Sequence, residues 1–182
     1  MSLVLRNALL GLALMVAVGC TAPPPAAVEA PAPDGAYRDE VLSRIEAIET
    51  KVVGLANAMS QEQYTWRPGE GVRSVSELYT HIASANFGLS GLFGSPAPEG
   101  AAPGSDVTDK AEIVATLEAS FAHLKGAVGG VSAADADTAM KMFGQDMTTR
   151  QALVTLTEHL SEHLGQGIAY ARVNGVTPPW NQ

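Results

Sequence analysis

Apolar side chains recur every three or four residues in four long segments of this chain, with polar residues between them. Because an α-helix turns once in about 3.6 residues, this spacing puts the apolar side chains of each segment on one face of a helix. In the first segment, near Ala36 to Met59, they are Val41, Ile45, Ile48, Val52, Leu55 and Met59. No segment alternates convincingly with the period of two that a half-buried strand shows. The pattern therefore predicts an all-α protein, in which a sheet is not expected.

Capping residues mark where the other three helices begin. In a capping box, a Ser or Thr side chain and a Glu or Gln side chain three residues later each accept a hydrogen bond from the other's backbone N–H. The boxes here are Ser74 with Glu77 and Thr148 with Gln151, and Thr108 is the predicted cap of the third helix. The predicted helices run from Ser74 to about Phe93, from Asp109 to Val128, and from Thr148 to Val173, before Asn174-Gly175. The expected architecture is a four-helix bundle.

The connectors between the predicted helices are long. Ser60–Arg73, Gly94–Val107 and Gly129–Met147 each have 14 or more residues, whereas antiparallel neighbours need only about two to eight. About ten extended residues are enough to return along a helix of twenty residues. These connectors can therefore be crossovers, and they allow an up-up-down-down order of the helices.

The N-terminal segment has the features of a bacterial lipoprotein signal. A positive charge at Arg6 precedes the apolar run Ala8 to Val18, which is long enough for a signal peptide and too short to span a membrane. Cys20, the only cysteine, follows this run, and we predict that it is lipidated as the first residue of the mature protein. Two or more acyl chains suffice for stable anchoring. The alternative is an ordinary cleaved signal peptide followed by a chance cysteine.

This pattern divides the chain into three parts. Residues 1–19 are the predicted signal peptide, residues 20–35 contain the lipidated Cys20 and a Pro/Ala-rich tether, and residues 36–182 form the helical domain. Proline-rich composition keeps the tether extended. We therefore expect an exported protein, lipid-anchored to the bacterial cell envelope. Thr21 after Cys20 favours the periplasmic face of the outer membrane in a Gram-negative host.

The net charge of the chain limits the classes of partner that it can bind. Removing residues 1–19 takes away only Arg6, so the mature protein has 11 minus 1, or 10, basic residues against 19 acidic ones, a net charge of −9. An acidic protein without a Lys/Arg cluster argues against nucleic acid as a partner. The expected partners are membrane lipid, through the acylated Cys20, and an unknown small-molecule substrate or ligand. A homodimer is allowed.

Three of the four histidines can meet on two helices. His159 and His163 are four residues apart in the fourth helix, which puts their Cβ atoms about 5–6 Å apart on one face. His81 lies in the middle of the second helix and is the natural third ligand. Three histidines with an open fourth position bind a divalent metal that activates a water. The alternative is three half-buried polar residues with one hydrogen bond each, since a lone His-x-x-x-His is a weak motif.

The roles of three further polar residues are open at this stage. His123 lies well away from the apolar stripe of its own helix, and we predict that it faces solvent and has no role. Gln166 could orient a ligand or a substrate, or it could be a surface residue. Glu77 could hold the second imidazole nitrogen of His81, but its place in a capping box already explains it.

Two stretches of the chain resemble the DinB-like four-helix-bundle superfamily, named for damage-inducible proteins. The run from Tyr64 to Ala83, YTWRPGEGVRSVSELYTHIA, is similar to the entry to its second helix, and HLSEHLGQ, from His159 to Gln166, is similar to its fourth. The resemblance extends from about Tyr37 to Trp180. It implies an up-up-down-down bundle and a divalent metal held by His81, His159 and His163. Leu164 replaces an Arg common in the family, so a charged substrate contact there would be lost.

The sequence predicts the ligand residues more closely than it predicts which metal they bind or which reaction the site performs. Imidazole ligands suit Zn, Ni and Fe alike. Relatives in this superfamily include thiol-dependent S-transferases, but export disfavours that activity because low-molecular-weight thiols are chiefly cytosolic. The leading hypothesis is a lipid-anchored, metal-dependent hydrolase of unassigned substrate, which uses a metal-bound water. The alternative is a non-catalytic metal- or ligand-binding lipoprotein, because the sequence offers no convincing general base.

Overall fold

The computed structural model describes residues 35–104 and 106–181. Its elements in chain order are α1 Ala36–Ala58, α2 Val75–Ser90, α3 Lys110–Gly129, β1 Ala139–Met142, β2 Gln145–Thr148 and α4 Thr149–Val173. Short 3-10 helices occupy Gln61–Thr65, Gly91–Phe93, Ala133–Asp135 and Pro179–Asn181. The predicted signal peptide, Cys20 and all but the last residue of the predicted tether lie outside the described residues, so those predictions stay predictions.

The core lies between the four helices and consists of the side chains that form the apolar stripes in the sequence. The aliphatic and aromatic side chains that are at most 1% exposed include Ile45, Val52 and Leu55 of α1, Leu78 and Ile82 of α2, Leu117, Phe121 and Leu124 of α3, and Leu153, Leu156 and Leu160 of α4. Burying one such side chain stabilises a fold by about 1.5–3 kcal/mol. The predicted all-α four-helix bundle is thus confirmed. Within the described part of the chain, no helix combines the length and the apolarity that crossing a membrane requires.

Local capping fixes where the helices begin. Both predicted capping boxes form, joining Ser74 to Glu77 and Thr148 to Gln151. At α3, however, the cap is Asp109, whose carboxylate accepts a hydrogen bond from the backbone N–H of Glu112 at 2.9 Å. The prediction of Thr108 was wrong by one residue. Both residue types cap helices well, and the apolar period does not distinguish adjacent starting points.

The helix ends that lie together fix the direction of each helix. The ammonium group of Lys110, at the start of α3, donates to the carbonyls of Asn57 and Met59 at the end of α1, at 2.8 and 2.6 Å. Helices α1 and α3 are therefore antiparallel. The hydroxyl of Tyr170, near the end of α4, donates to the carbonyl of Arg73 just before α2, at 3.0 Å. Helices α2 and α4 are therefore antiparallel as well.

The complete order of directions differs from the expected one. Arg150, at the start of α4, lies over the ring of Tyr37, at the start of α1, with 4.5 Å between its guanidinium carbon and the ring centroid, so α1 and α4 are parallel. The four helices thus run up, down, down, up, and the up-up-down-down order is wrong. Only the connector from α2 to α3 has to return along the bundle. Long connectors permit crossovers without requiring them, and the other two fold locally, into a 3-10 helix and the two strands.

Each helix packs mainly against two others. The main interfaces join α1 to α3 and α4, and α2 to the same two helices. The pairs α1/α2 and α3/α4 are therefore diagonal in the bundle. The interface between α2 and α4 contains the candidate site described below.

Strands β1 and β2 form an antiparallel hairpin directly before α4, which corrects the expectation that a sheet is absent. Met142 pairs with Gln145, so Phe143 and Gly144 form a two-residue loop. Their φ angles are 51° and 79°, the combination found in a type I′ turn. Strands of four residues contain too few alternations to be recognised. Phe-Gly is also not the usual turn signal, because Asn or Asp normally occupies the first position.

Candidate metal centre

Antiparallel packing of α2 against α4 brings three histidines together. His81 lies in the middle of α2, and His159 and His163 lie on adjacent turns of α4. The ring centroids are 4.5 Å apart for His159 and His163, 4.6 Å for His81 and His163, and 5.5 Å for His81 and His159. All three side chains are half-buried. We call these residues the histidine triad.

A chain of hydrogen bonds fixes which nitrogen of His163 carries its proton. The Tyr170 hydroxyl donates to the backbone carbonyl of Arg73, since a carbonyl can only accept. The Tyr170 oxygen must then accept from the amide nitrogen of Gln166, at 2.7 Å. This turns the amide oxygen of Gln166 toward Nδ1 of His163, at 3.2 Å, so Nδ1 is the donor. Nε2 of His163 is consequently left with a free lone pair.

The proton of His81 is fixed in the same way. The guanidinium of Arg73, which has only donors, lies 3.4 Å from Nδ1 of His81, so this nitrogen accepts. Nε2 of His81 then carries the proton and donates to the lone pair of His163 Nε2, at 3.0 Å. The hydrogen-bond chain thus begins at the side chain of Arg73 and ends at its carbonyl. It holds the two imidazoles with their Nε2 atoms facing each other.

His159 supplies the observation that points to a ligand. Its Nε2 atom is buried and has no hydrogen-bond partner among the described residues. Leaving a buried polar atom unpaired costs about 1–3 kcal/mol. One nitrogen from each histidine can be chosen so that all three lie within 4.8 Å of one another. Imidazole nitrogens are ligands that divalent metals such as Zn bind readily. The three residues together could therefore hold a metal ion, and a bound cation would satisfy His159.

Burial lowers the pKa of all three imidazoles, because the interior solvates the charged form less well than water does. For His81, the guanidinium of Arg73 and the other two histidines lower the pKa further, to about 4. Burial is also the largest cause for His159 and His163, and the negative charge of Glu162 opposes it at both. The three rings are therefore neutral at pH 7. That is the form in which histidine coordinates a metal.

No carboxylate is hydrogen-bonded to the histidine triad within residues 35–104 and 106–181. The carboxylate of Glu77 accepts from the backbone N–H of Ser74 and from the guanidinium of Arg67, both at 2.8 Å. It therefore acts as the cap of α2, and the alternative contact with His81 does not form. Glu162 is exposed and influences the triad only through its charge.

His123 does not face solvent as predicted. It is half-buried, its Nε2 atom lies 3.1 Å from the carbonyl oxygen of Ser95, and its ring centroid is 5.5 Å from that of Phe87. The prediction considered only the apolar stripe of α3. It could not include the connector after α2, which packs over this flank of α3. Within the described residues, His123 has no hydrogen bond or ring contact with the triad, and it has a structural contact of its own.

Three residues of the site were missed in the sequence. Tyr170 is four residues after Gln166 and therefore on the same helix face, a signal that was available. The contact of Arg73 depends on the path of the connector before α2, which has no periodic pattern. Phe143, at the tip of the hairpin, has its ring centroid 5.8 Å from that of His159. Nothing in its sequence neighbourhood indicates that contact.

A known protein family matches the region of the chain that contains all three histidines of the triad. The sequence profile of the DinB superfamily matches residues 44–166. The chain belongs to the DinB superfamily. The resemblance seen in the sequence is thereby confirmed. In this DinB-superfamily protein, the matched region contains α2, α3 and most of α1 and α4.

Solved structures support the fold assignment. A DinB-like protein from Bacillus cereus is 18% identical, with a TM-score of 0.65 over 78% of this chain and 95% of the other. A DinB-like protein from Bacillus subtilis is 20% identical, with a TM-score of 0.62 over 76% of this chain and 93% of the other. At these identities the likeness concerns the fold. No curated protein matches the chain.

Proposed function

We propose that this DinB-superfamily protein binds one divalent metal ion through His81, His159 and His163. The observation that carries the proposal is the buried Nε2 atom of His159, which lacks a partner among the described residues while two other imidazoles lie beside it. A cation held by the three residues would satisfy the unpaired Nε2 atom of His159. Family membership adds support, because the matched region contains all three residues.

We further propose that the site performs metal-dependent hydrolysis. A divalent ion with three histidine ligands supplies a Lewis acid and lowers the pKa of a water that it binds. His81 lines a groove of about 310 Å³, through which a small molecule could approach the site. Gln166 keeps the proton of His163 on Nδ1 and thereby leaves Nε2 free for the metal. Arg73 adds a positive charge at the edge of the site.

One observation favours a second candidate function, a non-catalytic metal- or ligand-binding protein. No carboxylate in the described part of the chain is hydrogen-bonded to the triad, and hydrolases commonly use such a group as a general base. A screen of the metal-loaded protein against ester, amide and phosphoester substrates separates the two functions. Turnover that disappears in His159→Ala supports the hydrolase. Stoichiometric metal without turnover on any substrate class supports the binding protein.

The metal site is tested by metal analysis of protein purified without added metal, followed by titration with Zn²⁺, Ni²⁺ and Fe²⁺. We expect one ion per chain in the wild type and none in the double variant His81→Ala, His159→Ala. His123→Ala is the matched control, because it removes a half-buried helical histidine outside the triad. Stoichiometric metal in the double variant would contradict the three-histidine site.

The location of the protein is a separate proposal, supported by the N-terminal sequence alone. We propose export and lipid anchoring to the bacterial cell envelope through Cys20, at the periplasmic face of the outer membrane if the host is Gram-negative. Cys20→Ser should move the protein from the membrane fraction to the soluble exported fraction, or leave it unprocessed. Unchanged membrane association of this variant would exclude the lipoprotein.

A further inference from the structure

Two residues outside the triad flank it from opposite ends of the bundle. Arg73 precedes α2, at the end where α4 finishes, and contacts His81. Phe143 precedes α4, at the other end, and contacts His159. The three histidines therefore lie between a guanidinium and an exposed aromatic ring. Both side chains are exposed to solvent.

The guanidinium of Arg73 has no acidic partner within the described residues. Its one side-chain contact there is Nδ1 of His81, at 3.4 Å. The nearest carboxylate along α2, Glu77, is already paired with Arg67 at 2.8 Å. Arg73 also borders a groove of about 310 Å³, whose other lining residues are Glu77, Thr80, His81, Ser84 and Pro103. Its donors are thus available to an acceptor that enters this groove.

Metal binding would remove the one acceptor that the guanidinium of Arg73 has in the triad. A neutral imidazole that coordinates through Nε2 carries its proton on Nδ1. If His81 binds in this way, its Nδ1 becomes a donor and can no longer accept from Arg73. The guanidinium then has to turn to a different acceptor. Carboxylate and phosphate oxygens are the acceptors that match the planar donor fork of arginine.

Phe143 occupies a position where a phenylalanine is unfavourable for the fold. Its φ of 51° lies in the left-handed region, which costs a non-glycine residue about 1–2 kcal/mol. Its side chain is nevertheless 61% exposed, so burial does not compensate for this cost. Asn or Gly suits the position better. A strained, exposed aromatic ring beside a candidate metal ligand points to a ligand contact.

We infer that the site takes a ligand with an oxyanion at one end and an aromatic or apolar body. Arg73 binds the carboxylate or phosphate, and the ring of Phe143 packs against the apolar part. This inference deepens the metal-binding function proposed above and rests on it for the position of the ligand. Leu164, where many relatives have an Arg, no longer leaves the site without a cation, because Arg73 supplies one from a different element.

Matched pairs of small anions test the inference. Phenylphosphate is compared with inorganic phosphate, and benzoate with acetate, by NMR titration of protein loaded with one equivalent of Zn²⁺. In the wild type, the aromatic member of each pair should bind about three- to tenfold more tightly, the usual contribution of one aromatic contact. The pair with the tighter binding identifies the preferred oxyanion. Equal binding within both pairs would overturn the inference.

Two variants test separately whether Arg73 binds the oxyanion and whether Phe143 contacts the apolar part of the ligand. Arg73→Gln should weaken all four anions by about tenfold, as expected for the loss of a charge-assisted hydrogen bond. Phe143→Asn should remove the difference within each pair and leave phosphate and acetate unchanged. Because Asn suits a type I′ turn, this variant should keep the fold. Arg172→Gln, an exposed arginine at the end of α4, is the control and should change nothing.

The metal and the anion are measured separately, so their failures can be told apart. Zn²⁺ stoichiometry is determined for each protein before any anion is added. If the wild type takes up no Zn²⁺, the proposed function fails, and titration of the metal-free protein still decides the anion site. If Zn²⁺ binds while Arg73→Gln and Phe143→Asn leave every dissociation constant unchanged, only the anion inference fails.

Discussion

His123 and His159 are both half-buried histidines on the flank of a helix, yet their surroundings differ in one respect. Nε2 of His123 is paired with the carbonyl of Ser95. Nε2 of His159 is buried without a partner among the described residues, next to two further imidazoles. Partial burial is therefore not what distinguishes a candidate metal ligand from a structural histidine. The distinguishing feature is a convergence of nitrogen atoms whose lone pairs the protein leaves unused.

The largest expected difference between the two residues is in the response to metal. Metal that binds only the folded protein stabilises it by about 2.7 kcal/mol when its free concentration is a hundred times the dissociation constant. His159→Ala should lose this increment completely, whereas His123→Ala should retain it. Chemical unfolding with and without Zn²⁺ measures this increment for each variant. An equal metal increment in the two variants would remove the distinction.

A smaller effect is expected from Gln166, which fixes the proton of His163 without itself binding metal. Substitutions of such supporting residues typically lower metal affinity by about 10- to 100-fold. Gln166→Ala should fall in this range. Tyr170→Phe should have a weaker effect, because the amide of Gln166 can still reach His163 after the hydroxyl is lost. Competition with a chelator of known affinity measures the metal affinity of each variant. If Gln166→Ala binds metal as tightly as the wild type, the hydrogen-bond chain has no part in the site.

The metal-free protein should lose stability in acid through the triad. Burial lowers the pKa of the three histidines in the folded state, for His81 to about 4, from about 6.5 in the unfolded chain. Between these values the unfolded chain binds more protons. The free energy of unfolding is therefore unaffected by these groups above pH 6.5 and decreases as the pH falls from 6.5 toward 4.

Unfolding measured at several pH values with chelator present tests this prediction. His81→Gln should flatten the decline, because it removes the histidine with the lowest pKa. The same shifts should let the protein retain metal somewhat below pH 6.5, since protons compete less well for these nitrogens. A free energy of unfolding that is constant from pH 7 to pH 5 would contradict the assignment.

The smallest expected effect concerns His123 itself. His123→Ala removes the hydrogen bond to Ser95 and the contact with Phe87, so it should cost about 0.5–1.5 kcal/mol of stability. Hydrogen exchange at the connector after α2 should increase, while exchange at the triad should not. Faster exchange at the triad would mean that the two sites are coupled.

The helices and the three histidines could be predicted because their signals are local. The apolar period and the capping boxes lie within single segments, and His159 and His163 are neighbours on one helix face. The helix directions could not, because they depend on contacts between distant segments. The hairpin could not, because its four-residue strands and its Phe-Gly turn give too weak a local signal. The length of the connector Ser60–Arg73 did not reveal that it folds locally. The contact of Arg73 with His81, only eight residues later, was missed because the path of that connector has no periodic pattern.

The arrangement of interfaces has a consequence for how the protein is made. Every main helix interface joins the first half of the chain, α1 and α2, to the second half, α3 and α4. Neither half buries its apolar faces internally, so a ribosome that has completed α2 has not yet produced a unit that can fold. We expect the nascent chain to stay unfolded until at least α3 has emerged. The two halves, expressed as separate fragments, should fold only when they are mixed.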